Sequence, residues 1–189
     1  GRGRHWCVVL TSVADEAVVE PHDSLAAQRT LVRRLVLAAA AVVLVLVVRT
    51  CVAEPVTIRS DSMAPTLNDG DVIVIDKLSA TWRTPHRGEI VVVRSPDTRG
   101  LIVKRVVAVG GDAVGLDDGR LVVNGAFVVE PYADNDRMEG SYYGPITVPD
   151  GSVFLLGDNR HDSSDSRLFG PVGTGSIVGR VAFRLWPIG

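Results

Sequence analysis

Cysteine is scarce in this chain, and the two present, Cys7 and Cys51, stand on opposite sides of its one long apolar run. They are poorly placed for an intramolecular disulfide, so the fold must rest on its core. Lysine is equally scarce: Lys77 and Lys104 stand against 18 arginines, which shortens the list of possible lysine bases. The four histidines, His5, His22, His86 and His161, show no metal-ligand spacing and no Ser/His/Asp setting. There is no glycine-rich phosphate loop; Gly110-Gly111-Asp112 follows an apolar run but lacks the rest of such a motif. Metal- and nucleotide-dependent mechanisms are therefore unsupported, and no cofactor and no metal are expected. Neither sign of charge is in excess. The net charge of −2 argues against nucleic acid as a partner.

The first segment with a clear physical signature is Leu35 to Val48, LVLAAAAVVLVLVV, bracketed by Arg33-Arg34 and Arg49. As a helix, that uncharged run spans about 21 Å, short of the roughly 30 Å hydrocarbon core of a bilayer. Extension to Ala53 gives about 28 Å and takes in Arg49, whose stem can snorkel to the headgroups. A buried core helix would carry a polar stripe, and a cleaved export signal would offer better small residues than Cys51-Val52-Ala53. The run predicts a retained transmembrane anchor over 35–53. Residues 1–34 are expected to form a partly disordered tail, polar and acidic over 13–30. Arg29, Arg33 and Arg34 before the span favour an internal N-terminus by the positive-inside rule.

From residue 54 to 189 the pattern changes. Short β-branched runs at 72–75, 90–93, 101–109, 121–123, 127–129, 153–156 and 177–185 alternate with Gly, Pro and Asp. Asn124-Gly125 between apolar runs predicts a hairpin with a type I′ turn. No helical pattern of crossover length separates these runs. The expectation is one mainly β, antiparallel domain.

Three polar clusters interrupt it: Ser60-Asp61-Ser62-Met63-Ala64-Pro65-Thr66-Leu67, Lys104-Arg105-Val106-Val107 leading to Gly110-Gly111-Asp112, and Gly157-Asp158-Asn159-Arg160-His161-Asp162-Ser163-Ser164-Asp165-Ser166-Arg167. Taken singly, each has an ordinary reading as a turn, a solvated strand edge or a hydrogen-bonded loop. Together and in this order they resemble the type I signal peptidases, serine proteases with a Ser–Lys dyad. The likeness runs through S-x-S-M-x-P-T-L, K-R-V with G-D following, and G-D-N-R-x-x-S-x-D-S-R. It continues into Phe169-Gly170-Pro171-Val172, Gly179-Arg180 and Trp186-Pro187. It covers residues from about 35 to the end and includes the apolar span before the first motif.

The resemblance implies a signal-peptidase-like β domain behind one transmembrane helix, on the extracytoplasmic side of a bacterial cytoplasmic membrane. It implies Ser62 as nucleophile, Lys104 as general base, and Ser60 as an oxyanion donor beside the Ser62 backbone N–H. Ser163 corresponds to the hydroxyl that orients the lysine, and Asp165 with Arg167 and Asp158 with Arg105 to an ion-paired scaffold. Preprotein signal peptides with Ala or similar residues at the first and third positions before the cut bond are the implied substrates, with membrane lipid as the other partner. The family usually has Pro where this chain has Arg59, a departure that bears on pocket shape.

The chemistry of such a pair sets a physical demand. A serine hydroxyl attacks a carbonyl only as its proton is removed. Lysine can remove it only when neutral, and its reference pKa is about 10.4. Bringing a lysine two pH units down costs about 3 kcal/mol, which desolvation can supply. On a strand Lys104 shares a face with Ile102 and Val106, while Arg105 points the other way, towards an acid such as Asp158. Ile58, Met63, Leu67, Ile102 and Val103 flank the pair along the chain and are the candidate walls of shallow substrate pockets. The rival readings are a self-cleaving repressor-type Ser–Lys protease, a peptidase specialised for one secretion or transfer system, and a tethered β domain that cuts nothing.

Overall fold

The computed structural model describes residues 22–47, 53–98, 100–133 and 140–187, in two compact units, 1–44 and 45–189. Cys7, Cys51, Arg49 and the tail before His22 lie outside the described residues.

Helix α1 runs His22–Val47 and so begins well before Leu35. The segment ahead of the apolar run reads as polar, but Leu25, Ala26, Ala27, Gln28 and Arg29 are strong helix formers, and Asp23 stands in the first turn, where the helix dipole favours an acid. Helix propensity extends the helix into what polarity alone suggested was loose tail. From Ala27 onwards every side chain of α1 is exposed. A helix apolar on all sides has no single face to bury in a small domain. The stretch Ala27–Val47 has a mean hydropathy of 2.3, and its length of about 31 Å matches a bilayer's hydrocarbon core.

The second unit is built from β1 (Ala53–Thr57), β2 (Val72–Asp76), α2 (Lys77–Trp82), β3 (Ile90–Arg94), β4 (Leu101–Val109), β5 (Ala113–Asp117), β6 (Arg120–Val123), β7 (Ala126–Phe127), β8 (Tyr143–Thr147), β9 (Ser152–Leu156), α3 (Ser166–Phe169), β10 (Val172–Gly173) and β11 (Ile177–Trp186). One sheet has seven strands in the order β1-β2-β11-β3-β4-β9-β10, and the other has four, β7-β6-β5-β8. Every strand pair is antiparallel. The fold is therefore the mainly β, antiparallel one that the sequence predicts. Asn124 and Gly125 have φ of 54° and 79°, the type I′ signature, and Val123 pairs with Ala126 across them.

The alternation of strand residues explains the core. On β3, Val91 and Val93 enter one buried cluster with Val106, Val153 and Leu155, while Val92 enters another with Ile58, Met63, Leu67, Ile73 and Ile75. On β9, Phe154 and Leu156 face the second sheet and pack with Val114, Leu116, Leu121 and Val123. The central strands of the large sheet are thus covered on both faces, as their near-continuous Val/Ile/Leu content requires.

Four differences from the sequence reading have local causes. Strand β1 starts at Ala53, which pairs with Asp76; that residue was assigned to the end of the span. Helix α2 is capped by Asp76, whose Oδ1 accepts from Leu78 N at 2.9 Å and Ser79 N at 3.0 Å. Strand β7 ends at Phe127 instead of Val129, because the chain leaves the sheet to bury Glu130. Strands β5 and β8 are additional, and they cross where Gly115 and Gly144 let the backbones close up. A Cβ at Gly115 would lie 2.8 Å from Tyr143 O, and one at Gly144 2.8 Å from Val114 O.

Candidate active site

Ser62 stands in a tight turn between β1 and β2. Ile58 N donates to Asp71 O at 2.8 Å and Gly70 N to Ile58 O at 3.0 Å, closing the base of the loop. Ala64 N donates to Asp61 O at 3.0 Å and Leu67 N to Met63 O at 2.9 Å, winding it into a helical turn. The third cluster grips this turn from the side. Asn159 N donates to Ser62 O and its Nδ2 to Asp61 O, both at 3.2 Å.

Lys104 stands on β4 opposite Val91 and is 3% exposed. Its Nζ donates to Ser62 Oγ at 2.7 Å and to Val103 O at 3.1 Å. Ser60 Oγ lies 3.2 Å from Ser62 Oγ. Burial pushes the Lys104 pKa below its ordinary value. Asp165 and Asp158 oppose this by favouring the charged form, and Arg167 adds to it. Desolvation prevails because both carboxylates are already occupied. Arg105 Nε and Nη2 hold Asp158 at 2.8 and 2.6 Å, and Arg167 Nε and Nη2 hold Asp165 at 2.8 Å each. These are two-point guanidinium–carboxylate pairs with fixed geometry.

Each carboxylate also carries backbone or side-chain bonds that lock the loops. Asp158 Oδ2 accepts from Thr66 Oγ1 at 2.5 Å, and Asp165 Oδ2 accepts from Gly157 N at 3.1 Å. Gly157 is where the clusters meet most closely. A Cβ there would lie 2.2 Å from Ser163 Oγ and 2.5 Å from Ser62 O.

Ser60, Ser62, Lys104, Arg105, Asp158, Asp165 and Arg167 are thus gathered in one place. Ser163 packs there too, yet the lysine's hydrogen bonds go to Ser62 and Val103, and the buried Ser163 Oγ has no hydrogen-bond partner among the described residues. A cleft of about 350 Å³ opens beside the pair. Ile58, Met63, Ile102 and Val103 are among its walls, together with Val56, Arg59 and Leu101. Leu67 is not. The helical turn that bonds its N–H to Met63 O carries its side chain into the core beside Ile73 and Ile75, where it is 4% exposed.

Residues that the sequence reading did not single out complete the arrangement. Arg160 is buried and donates from Nη2 to Glu130 Oε1 at 2.6 Å and from Nε to Gly157 O at 3.0 Å. Tyr132 donates to Glu130 Oε1 at 3.0 Å, and its ring lies 3.8 Å under the Arg105 guanidinium. Burial and the neighbouring Glu130 push the Tyr132 hydroxyl up to about 12, so it stays a donor. A lone Glu before Pro131 carries no sequence signal that it will meet an arginine thirty positions on.

The sequence model of the signal peptidase family, peptidase S26, matches residues 31–186. A probable thylakoidal processing peptidase 2, chloroplastic, of Arabidopsis thaliana is 40% identical over 160 residues, 78% of this chain and 42% of that protein. A probable signal peptidase I-2 of Synechocystis sp. is 40% identical over 155 residues, 78% of this chain and 70% of its own. A crystal structure of a signal peptidase I from Enterococcus faecalis is 30% identical with a TM-score of 0.47, covering 52% of this chain and 97% of that one. The chain therefore spans less than half of the Arabidopsis protein and most of the Synechocystis one. With the family's sequence model matched across nearly all of the described residues, this chain belongs to the signal peptidase family, peptidase S26.

Proposed function

We propose that this protein is a type I signal peptidase, a membrane-bound serine endopeptidase that removes N-terminal signal peptides from exported preproteins, with Ser62 as nucleophile and Lys104 as general base. The single observation that carries the reading is a buried amine, its charged form disfavoured, 2.7 Å from a serine hydroxyl beside an apolar cleft.

In its neutral form Lys104 accepts the Ser62 proton as Oγ bonds to the scissile carbonyl carbon. The oxyanion forms against the Ser62 N–H and the Ser60 hydroxyl. When the C–N bond breaks, the leaving amine takes the proton from Lys104. Water, deprotonated by the same lysine, then hydrolyses the ester and restores Ser62. Lysine takes up and returns the proton at every step, so the scheme calls for neither a metal nor a cofactor.

An extended peptide lies along the cleft, its first and third side chains before the cut bond against Ile58, Met63, Ile102 and Val103. Those walls leave room for small residues. Helix α1 is the anchor, its N-terminal end held inside by Arg29, Arg33 and Arg34, with residues 54–189 outside a bacterial cytoplasmic membrane. Anchoring places enzyme and preprotein in one two-dimensional phase, which raises their effective concentration. Nucleic acid has no role in this scheme.

The test is cleavage of a synthetic peptide with Ala-x-Ala before the scissile bond. Ser62→Ala and Lys104→Met each abolish cleavage while the fold, followed by circular dichroism, persists. Substantial activity in either folded variant refutes the assignment.

A further inference from the structure

The cleft beside Ser62 carries two basic side chains among its walls, and they are placed very differently. Lys104 is 3% exposed and turned onto Ser62 Oγ. Arg59 is exposed, three residues from Ser62, and neither an ion pair nor a hydrogen bond engages its guanidinium among the described residues. No carboxylate stands among the described residues that line the cleft. The acid nearest in sequence, Asp61, accepts the Asp69 N–H at 3.2 Å. Among the described residues that line the cleft, the one exposed charge is therefore positive.

Its position along the cleft follows from alternation. Ile58 is 5% exposed and Arg59 beside it is exposed, so their side chains leave the chain in opposite senses, one inward and one to the rim. An extended substrate alternates in the same way, at about 3.3 Å per residue. If its first and third side chains before the cut bond enter the apolar floor, the second faces the rim. We infer that Arg59 is a specificity-determining residue that favours substrates with an acidic side chain at the second position before the cut bond and disfavours basic ones there. This rests on the protease reading given above and deepens it. It also gives a chemical consequence to the arginine that stands where the family usually has a conformationally restricted proline.

An exposed pair of this kind changes an affinity by up to about fivefold, and salt weakens it. The experiment uses the full chain in uncharged detergent and three peptides identical except for Glu, Gln or Lys between the two alanines. In the wild type kcat/KM is expected to fall in the order Glu, Gln, Lys, with Glu over Lys by about fivefold at low salt and by less in high salt. Arg59→Gln removes the Glu-over-Lys preference, and Arg59→Glu reverses it. These ratios are read within each variant, so a general loss of activity does not obscure them. Equal rates for the Glu and Lys peptides in the wild type, or an unchanged preference in Arg59→Glu, overturns the inference and leaves the protease reading standing. No Ser62-dependent cleavage of the Gln peptide overturns the protease reading itself.

Discussion

Replacing Gly157 by Ala adds one methyl group at the point where the first and third polar clusters touch. The new Cβ would stand 2.5 Å from Ser62 O, 2.5 Å from Ser163 Cβ and 2.2 Å from Ser163 Oγ. Ordinary van der Waals contact begins near 3.4 Å, so the Ser62 carbonyl must withdraw by about 0.9 Å and the Ser163 hydroxyl by more. Rotation can carry the Ser163 hydroxyl away, but not its Cβ, which the backbone fixes. The carbonyl cannot move alone, because it belongs to the turn that carries Ser62 and accepts the Asn159 N–H. Overpacking of this kind costs about 1–3 kcal/mol of stability, and a displacement near 1 Å at a reacting group costs about 100-fold in rate. Gly157→Ala is therefore expected to melt as a folded protein, somewhat below the wild type, with kcat/KM on an Ala-x-Ala peptide down by about 100-fold. Adding Ser163→Gly removes the clash with the side chain and leaves the clash with the carbonyl, so the double variant recovers little activity. Activity within threefold of the wild type in Gly157→Ala, or full recovery in the double variant, would show that the Ser62 backbone is not held as described.

Three further outcomes follow from the same geometry. Arg167 lowers the Lys104 pKa and occupies Asp165; Arg167→Gln leaves that carboxylate free to hold the lysine's proton, so the acid limb of the kcat/KM profile moves to higher pH. An unmoved limb in a folded variant contradicts this. Because the folded-state pKa of Lys104 lies below its unfolded value, its charge costs stability below the folded pKa, and the cost fades as pH rises towards the ordinary lysine value of 10.5. Lys104→Met should accordingly unfold at no lower a denaturant concentration than the wild type at pH 7, and a clear loss counts against burial as the cause. Glu130→Gln removes the buried carboxylate that Arg160 Nη2 meets at 2.6 Å, for an expected loss of about 1–3 kcal/mol measured by urea denaturation; no measurable loss would mean that this pair does not hold the segment.

Chemistry was more legible in the sequence than extent. The lysine's burial could be read from Ile102 and Val106 on its face, and the turning of Arg105 to the opposite face from its odd position, because a strand has a strict period of two. Strands β5 and β8 left weak traces, since Gly115, Gly144 and Pro145 look like punctuation and in the fold are close approaches between paired strands. The beginning of α1 was hidden by its charge, because polarity and helix propensity disagree over 22–34. Leu67 was misplaced by counting along the chain, where nearness to Ser62 suggested the cleft and a single turn of helix delivered the core. Contacts such as Glu130 with Arg160 join segments whose separation no local pattern encodes.

The path by which Glu130 reaches Arg160 has a consequence for anyone trimming this protein. The small sheet holds none of the seven polar residues gathered at the site, Ser62 and Lys104 included, and looks like an ornament that a minimal version could shed. Yet its outgoing strand delivers the acid that neutralises Arg160, whose other bond steadies the carbonyl of Gly157. A version shortened by joining β4 directly to β9 would keep Ser62, Lys104 and the walls of the cleft and lose the wedge behind them.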